Sequence, residues 1–434
     1  MDSVKVGMLG LGTVGSGVAR ILNESTDRIA RRAGRRIELK WAAVRDPRKA
    51  RGSLPAGTRV TTDAREVVDD PEVAIVVEAM GGIDPALSLV LASLAAGKDV
   101  ITANKALLAE HGAAICSQAR KFGRALAFEG SVGGGIPIVQ ALGVGLAANQ
   151  VQSLAAIVNG TCNFILSSMS GEGMSYDDAL ARARALGYAE ADPTLDVDGT
   201  DTAHKLAILA QLAFGAGVTT GQIPREGIDR LQSADLRFAA ELGYTVKLLA
   251  LAKLSPSGLE LRVAPTLVTR GTPLADVNGP YNAIRVVGDA LGDTLFYGRG
   301  AGSMPTASAV VADLIDAVVG RAALTFRALD PWPEGAAPTV LATPDRVRSR
   351  YYLRFMIADR PGVLATIARA LGDAGISIAS VIQHEPEEDA TADGSVPLVI
   401  MTHLAVEASL SAALAEIDRL DTVRAPSVRL GVDE

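Results

Sequence analysis

The chain has 434 residues, with 42 basic and 49 acidic side chains and a formal net charge of −7. Its 48% hydrophobic content excludes a chain disordered throughout, and its 4% aromatic content gives no base-stacking platform. The acidic balance argues against general nucleic-acid binding, and two cysteines with four scattered histidines form neither a disulfide framework nor a zinc pattern. At roughly 150 residues per domain, the length suggests about three domains.

An apolar strand over 4–9 begins almost at once, without the basic start and long apolar run of a signal peptide, so a cytoplasmic protein is expected. Residues 1–130 alternate strands (4–9, 37–44, 74–78, 99–102, 125–129) with helices (14–23, 85–96, 107–121). That alternation indicates a parallel sheet covered on both faces, with Gly97 stopping the second of these helices. No charged residue occurs from Gly130 to Gly171, but glycines, Pro137 and Asn149 interrupt the apolar run. It reads as a glycine turn, a buried helix and a buried strand, with no membrane span.

The middle of the chain reads as an α+β domain. A helix over 175–186 opens with Ser175, Asp177 and Asp178 and stops at Gly187; a second covers 201–214; strands cover 259–267 and 283–287. Pro331, Pro333, Pro338 and Pro344 mark a linker. Beyond it, strands over 351–357, 376–383 and 397–403 and helices over 362–373 and 407–419 make a β–α–β–β–α unit, with a solvated acidic loop over 385–393. The expected division is 1–130, 131–327, a linker over 328–349, and 350–434.

Three motifs carry chemistry. Gly10-Leu11-Gly12-Thr13-Val14-Gly15 follows the first strand directly. The first glycine permits the turn, the second lets the backbone approach a pyrophosphate, and the third lets the helix pack on the strand. Arg45, just past the second strand, leans toward the 2′-phosphate of NADP, and the adjacent Asp46 suits NAD. Lys105 lies past the carboxyl end of the strand over 99–102, where open parallel sheets bind ligands. The third motif is the densest polar run, from Gly187 through Glu190, Asp192, Asp196, Asp198 and Asp201 to Lys205. Asp201 and Lys205 share a helical face at i,i+4, so the carboxylate can orient an ammonium that exchanges a proton with a substrate oxygen. A solvated ion pair is the bland alternative. The glycine run from Glu129 to Ile136 reads, on its chemistry, as close helix packing or as carbonyls for a monovalent cation.

Taken together, GLGTVG, TANKALL, EGSVGGGIP, NGTCNFIL, GYAEADPTLDVDGTDTAHKLAIL and YGRGAGSMPTASAVVAD resemble homoserine dehydrogenase from the amino terminus to about Arg327. The tail, with Asp359-Arg360-Pro361-Gly362-Val363-Leu364, resembles the ACT regulatory module. The resemblance implies an α/β chain built of a Rossmann-type nucleotide-binding domain, an α+β catalytic and dimerisation domain and a ferredoxin-like ACT domain. It implies NAD(P)-dependent interconversion of L-homoserine and L-aspartate 4-semialdehyde in threonine and methionine biosynthesis. By motif position Lys205 is the proton donor, Glu190 and Asp201 bind substrate with Asp196 beside them, and Lys105 lies near cofactor and substrate. Gly187 and Gly302 line the cleft, and Glu129, Val132, Gly134 and Ile136 match a sodium site. An amino-acid effector, threonine by analogy, is expected on the tail at the turn 360–363, and a homo-oligomer (dimer or tetramer) is expected. A dehydrogenase of the phosphoglycerate type would instead need a catalytic histidine, and an inactive amino-acid sensor would not need the lysine and carboxylate set.

Overall fold

The computed structural model describes residues 3–49, 54–335, 337, 339–384 and 395–433, so the acidic stretch 385–393 and Pro338 lie outside the described residues. The chain packs as two compact units: Met1–Gly160 with Asp201–Ile223 and Pro280–Thr339, and Thr161–Thr200 with Pro224–Gly279 and Val340–Glu434. Among the described residues no helix is long and apolar enough to cross a membrane.

In the first unit six parallel strands lie in the order Arg59–Thr61, Arg36–Ala43, Ser3–Leu9, Val73–Glu78, Asp99–Thr102, Leu126–Ala127. The order reverses beside Ser3–Leu9, which is the switch point of a doubly wound sheet and its natural ligand crevice. Val6, Met8, Ile75, Val77 and Ile101 face one core, which the helices Thr13–Glu24 and Ser303–Val318 close with Val18, Leu22, Val310 and Leu314. Leu9, Val76, Val67, Val68 and Leu89 form the core on the opposite face. Side chains of one strand thus enter both cores, as parallel sheets covered twice require.

Several elements here were not foreseen, among them the helices Ala64–Asp69, Ser303–Val318 and Arg321–Leu329, the strand Gly292–Arg299, and two whose sequences give little signal. Arg59–Thr61 is a three-residue edge strand, exposed at Arg59 and Val60, with no apolar run to announce it. Thr26–Ala33 carries Asp27, Arg28, Arg31 and Arg32 and buries only Ile29, Ala30 and Ala33, a stripe too short to stand out. The strand expected over 125–129 shrinks to Leu126–Ala127, because Glu129–Ser131 turns into a 3₁₀ helix whose Glu129 N–H donates to the Asp313 carboxylate. In the uncharged stretch, the glycine turn leads to a short helix, Ile138–Gln140, and the buried strand Val151–Ile157. That strand pairs with the hairpin Tyr281–Gly288/Gly292–Arg299.

In the second unit a long hairpin, Tyr244–Ser255 with Gly258–Thr269, is joined by the tail. The tail's strands Val423–Asp433, Tyr351–Ala358, Ser395–Thr402 and Ile378–Ile382 lie in that order, as in a ferredoxin-like βαββαβ sheet. The helices Val363–Asp373 and Glu407–Ile417 bury one face, around Leu353, Phe355, Ile367, Leu398, Leu410 and Ile417. On the other face Tyr352 and Arg354 reach Asp235 of the helix Ser233–Glu241. Arg354 Nε and Nη2 lie 2.5 and 3.1 Å from the two Asp235 oxygens, and the Tyr352 hydroxyl donates at 3.1 Å. All three side chains are buried.

The last strand, Val423–Asp433, was also not foreseen. Pro426 and Gly431 give it the look of a turn, and Pro426 falls where the register with Tyr351–Ala358 slips, the place a strand tolerates proline. Its end pairs in parallel with the hairpin, Gly431–Asp433 against Thr266–Val268.

Candidate active site

The fingerprint adopts the conformation its glycines allow. Gly10 has φ +99°, and a Cβ there would lie 2.7 Å from the Ala79 carbonyl oxygen. A Cβ on Gly15 would lie 2.1 Å from the Gly10 carbonyl, so this helix seats on the strand only without a side chain. At Gly12, the N-cap of Thr13–Glu24, a Cβ would meet nothing within 4 Å. The space beside Gly12 is therefore open at a helix N-terminus, which is the shape and polarity a pyrophosphate needs. Gly302 caps the helix Ser303–Val318, whose Ser303 hydroxyl donates to the Thr13 carbonyl at 2.6 Å, so Gly302 adjoins the fingerprint. Arg45 is exposed just past Arg36–Ala43, and the neighbouring Asp46 accepts from Arg48 through its backbone N–H and Nε.

Register carries the argument across the sheet. Leu9 pairs with Glu78 and Glu78 with Thr102, so Gly10 and Ala103 leave their strands at one level, two strand spacings apart. Those spacings amount to about 10 Å. Asn104 caps Lys105–Lys121 through its side chain, while Thr102 and Asn104 both bond the buried Glu78 carboxylate. Lys105 is thereby fixed at the first turn of its helix, at the carboxyl edge of the sheet.

Two lysines meet one carboxylate there. Lys105 Nζ lies 2.9 Å from Asp201 Oδ1, and Lys205 Nζ lies 2.6 Å from Asp201 Oδ2. Asn159 Nδ2 donates to Oδ2 at 2.9 Å, and Lys205 Nζ donates to the Val158 carbonyl at 2.6 Å. Asp201 and Lys205 are 6% and 8% exposed, so this is no solvated helix pair. Burial would push the Asp201 carboxyl up, but the Lys205 and Lys105 charges and their hydrogen bonds hold it well below the usual carboxylate range. Lys105 remains 42% exposed at its side chain and Lys205 10%, so one ammonium faces outward and the other is enclosed.

The glycine run is packed tightly. Gly133 and Gly134 have φ +74° and +57°, and a Cβ on Gly134 would lie 2.5 Å from Gly300. Glu129, Val132 and Ile136 are buried, and the Glu129 carboxylate accepts the N–H groups of Val139 and Gln140. Burial pushes the Glu129 carboxyl up to about 7, and burial and the nearby Glu129 push Asp313 up as well. Val132, Gly134 and Ile136 have only main-chain carbonyls to offer a cation. The Ile136 carbonyl already accepts the Ile138 N–H at 2.8 Å, and each carbonyl has a second lone pair.

Glu190, Asp196 and Gly187 belong to the second unit. Glu190 is exposed, Gly187 follows the helix Tyr176–Ala185 at φ +74°, and the Asp196 carbonyl accepts the Cys162 thiol at 3.2 Å. Asp192 and Asp198 are spent on turns: each accepts from the backbone and hydroxyl of a threonine two residues on, Thr194 and Thr200.

Family models match residues 10–129, described as the NAD binding domain of homoserine dehydrogenase, and 137–315, described as homoserine dehydrogenase. A model of the ACT domain matches 351–422. The chain is 46% identical over 447 residues to the homoserine dehydrogenase of Pseudomonas aeruginosa, with both sequences covered completely. The chain belongs to the homoserine dehydrogenase family. It is an oxidoreductase acting on a CH–OH group, with an α/β fold of Rossmann-type NAD-binding domain, catalytic domain and C-terminal ACT domain. The solved homoserine dehydrogenase of Thiobacillus denitrificans is 46% identical with a TM-score of 0.92, covering 100% of this chain and 99% of that one. A hyperthermophilic archaeal homoserine dehydrogenase solved in complex with NADPH is 27% identical with a TM-score of 0.61, covering 74% of this chain and 98% of that one.

Sequence reasoning singled out Asp201 and both lysines of this dehydrogenase but passed over Asn159, the Val158 carbonyl and Glu78. Asn159 opens the NGTCNFIL segment, so the sequence carried its signal; Glu78 ends an apolar strand, and a lone acid in such a run marks a buried partner.

Proposed function

We propose that the enzyme reduces L-aspartate 4-semialdehyde to L-homoserine in threonine and methionine biosynthesis, with Lys205 as proton donor. The observation that carries this is Asp201 bridging Lys205 and Lys105 at the carboxyl edge of the nucleotide-binding sheet. A bound nicotinamide dinucleotide supplies the hydride that reaches the aldehyde carbon. The backbone from Gly10 through Leu11, Gly12, Thr13 and Val14 to Gly15 holds its pyrophosphate, with Gly187 and Gly302 lining the cleft. Arg45 takes the 2′-phosphate of NADP; Asp46, already engaged by Arg48, is the weaker rival that would favour NAD.

The carbonyl carbon gains the hydride, the C=O π pair moves to oxygen, and that oxygen takes a proton from Lys205 Nζ. Asp201 holds Nζ in place, and Lys105 puts positive charge beside the developing alkoxide. A positioned donor contributes about 10²–10⁴-fold, and charge aimed at the oxygen contributes further. Glu190 binds the substrate ammonium, with Asp196 in the same polar segment. The carbonyls of Glu129, Val132, Gly134 and Ile136 would hold a structural Na⁺, which would supply a fixed positive charge that pins the glycine turn.

The division into 1–130, 131–327, 328–349 and 350–434 assigns cofactor binding, catalysis with dimerisation, linkage and regulation. The assembly is a dimer or tetramer in the cytoplasm, and threonine is the effector. The test is L-homoserine-dependent reduction of NADP⁺ and NAD⁺, followed optically, with wild type and Lys205→Ala. Wild-type turnover with a variant that binds NADPH but has lost catalysis supports the reading; near-normal turnover in the variant removes Lys205 from the role.

A further inference from the structure

The first unit contains a groove of about 290 Å³ between the helices Thr13–Glu24, Thr26–Ala33 and Ser303–Val318. Ile21, Ile29, Val311 and Ile315, buried or half-buried, form its floor, and the exposed Arg28 and Arg32 stand on its rim. The volume falls just below the usual small-molecule range of about 300–1,000 Å³, so the occupant is small. We infer that the groove binds a small aliphatic carboxylate, and that its occupancy is coupled to dinucleotide affinity.

Charge and polarity decide the ligand class. Arg28 and Arg32 lie at i,i+4 on one face of an eight-residue helix, a spacing at which like charges repel. Arg28 also sits in the first turn, at the positive end of the helix dipole, where a cation is disfavoured. Neither has a counter-charge among the described residues. Arg28 donates to the neutral Ser25 hydroxyl at 2.8 Å, and Arg32 makes no ion pair or side-chain hydrogen bond. Glu24 is taken by Arg20, and no carboxylate lines the groove. Two guanidinium groups facing one space suit a carboxylate, which accepts a fork of N–H donors, and the exposed Ser308 hydroxyl across the groove is a further donor. The floor suits an alkyl body. An inorganic anion would leave that floor in water, and an uncharged ligand would leave both arginines unmatched. A zwitterion would bring its ammonium against two cations with no acid to receive it.

The groove begins one helical turn from a contact that the cofactor loop depends on. A Cβ on Gly17 would lie 2.7 Å from the Ser303 carbonyl oxygen and 2.9 Å from the Ala307 Cβ, so the two helices touch there with no room to spare. Ile21 and Val311 each follow that contact by four residues. Both helices start at the dinucleotide loop, one capped by Gly12 and the other by Gly302. An alkyl chain seated between Ile21 and Val311 therefore changes the angle between the two helices that present the loop. Such coupling is reciprocal, so NADPH alters carboxylate affinity by the factor with which the carboxylate alters NADPH affinity.

The experiment uses the full chain with hexanoate, hexan-1-ol and inorganic phosphate as probes at matched ionic strength, by titration calorimetry. NADPH fluorescence titrations are run with and without saturating hexanoate. The variants are Arg28→Gln/Arg32→Gln, both side chains being exposed, and Ala312→Phe, which fills the groove and keeps both arginines. Hexanoate should bind wild type saturably, with the alcohol and phosphate about tenfold or more weaker. Each variant should lose about tenfold or more in hexanoate affinity, with homoserine turnover in the absence of hexanoate unchanged in the double variant. In wild type, saturating hexanoate should shift the NADPH Kd about fivefold or more, and in the double variant the shift should vanish. Absence of hexanoate binding to wild type, equal binding of phosphate, or binding undiminished in either variant overturns the site. An NADPH Kd that hexanoate leaves unmoved, or moves equally in the double variant, overturns the coupling.

Discussion

Asp201 faces two ammonium groups and an amide from inside the fold, and its ionisation is the condition for holding both lysines. Replacing it with Asn keeps the volume and one acceptor but removes the charge. We expect Asp201→Asn to lower kcat by about 10²-fold or more with NADPH binding retained, since a buried ammonium left without its counter-charge loses its place or its proton. Single-turnover kinetics with NADPH separate this from a binding defect. A second buried lysine behaves differently. Lys247 is 1% exposed, donates to the Val277 carbonyl and to Asn163 and Asn278, and pairs with no carboxylate among the described residues. Burial, opposed only by Asp276, lowers its pKa from 10.5 to about 8. Between those values the unfolded chain holds the proton that the native chain has released, so stability rises with pH across that window. Below about 8 the fold carries the whole cost of enclosing the ammonium. The difference between wild type and Lys247→Met in chemical denaturation should therefore shift by about 3 kcal/mol from pH 7.5 to pH 10.5. A flat difference would mean that Lys247 titrates alike in both states. The lysines at 105 and 205 were legible because one follows a strand and the other sits a turn from an acid. Lys247, inside the apolar strand Tyr244–Ser255, carried no such mark of its buried acceptors.

At the scale of elements, the glycine loop separates packing from binding. A methyl on Gly15 meets the Gly10 carbonyl, whereas a methyl on Gly12 meets nothing in the protein. Gly15→Ala should lower Tm and weaken NADPH binding together, because backbone must shift at about 1–3 kcal/mol or more. Gly12→Ala should leave Tm within a degree or so and still weaken NADPH binding, because its methyl occupies the space a pyrophosphate would take. Thermal melts and NADPH fluorescence titration give the two readouts. Loss of Tm in both variants would place Gly12 in the packing class instead. Most elements with a full apolar stripe or strand were readable, Asp99–Thr102 to the residue. Some that escaped were short, charged or interrupted, namely Arg59–Thr61, Thr26–Ala33 and Val423–Asp433, the last hidden by a proline that a register slip accommodates, but long apolar elements such as the strand Tyr244–Ser255 and the helices Gly160–Glu172 and Ser303–Val318 escaped as well.

At the scale of the whole molecule, the tail is built into the second unit. Arg354 neutralises Asp235, the Tyr352 hydroxyl donates to it, and Gly431–Asp433 extends the hairpin sheet. Removing residues 345–434 would leave the Asp235 charge without Arg354 and Tyr352, with only the Gln232 N–H still bonded to it, and would uncover part of the edge of the strand Gly258–Thr269. We expect that truncation to aggregate, and the same truncation with Asp235→Leu to be more soluble, since the orphaned carboxylate is then gone. Static light scattering after matched expression compares the two, and equal aggregation would shift the blame to the strand edge alone. Of the archaeal relative's chain 98% aligns to 74% of this one, so that dehydrogenase is the shorter of the two.

The pairing of Gly431–Asp433 with Thr266–Val268 also sets an order of events during synthesis. The ribosome makes these residues long after the hairpin, so the nascent hairpin waits, one margin unprotected, until residues 431–433 emerge. Stalled or prematurely released chains would keep that margin, which makes them natural clients for chaperones and proteases. A stop codon that removed residues 431–433 would then be felt in the hairpin sheet itself.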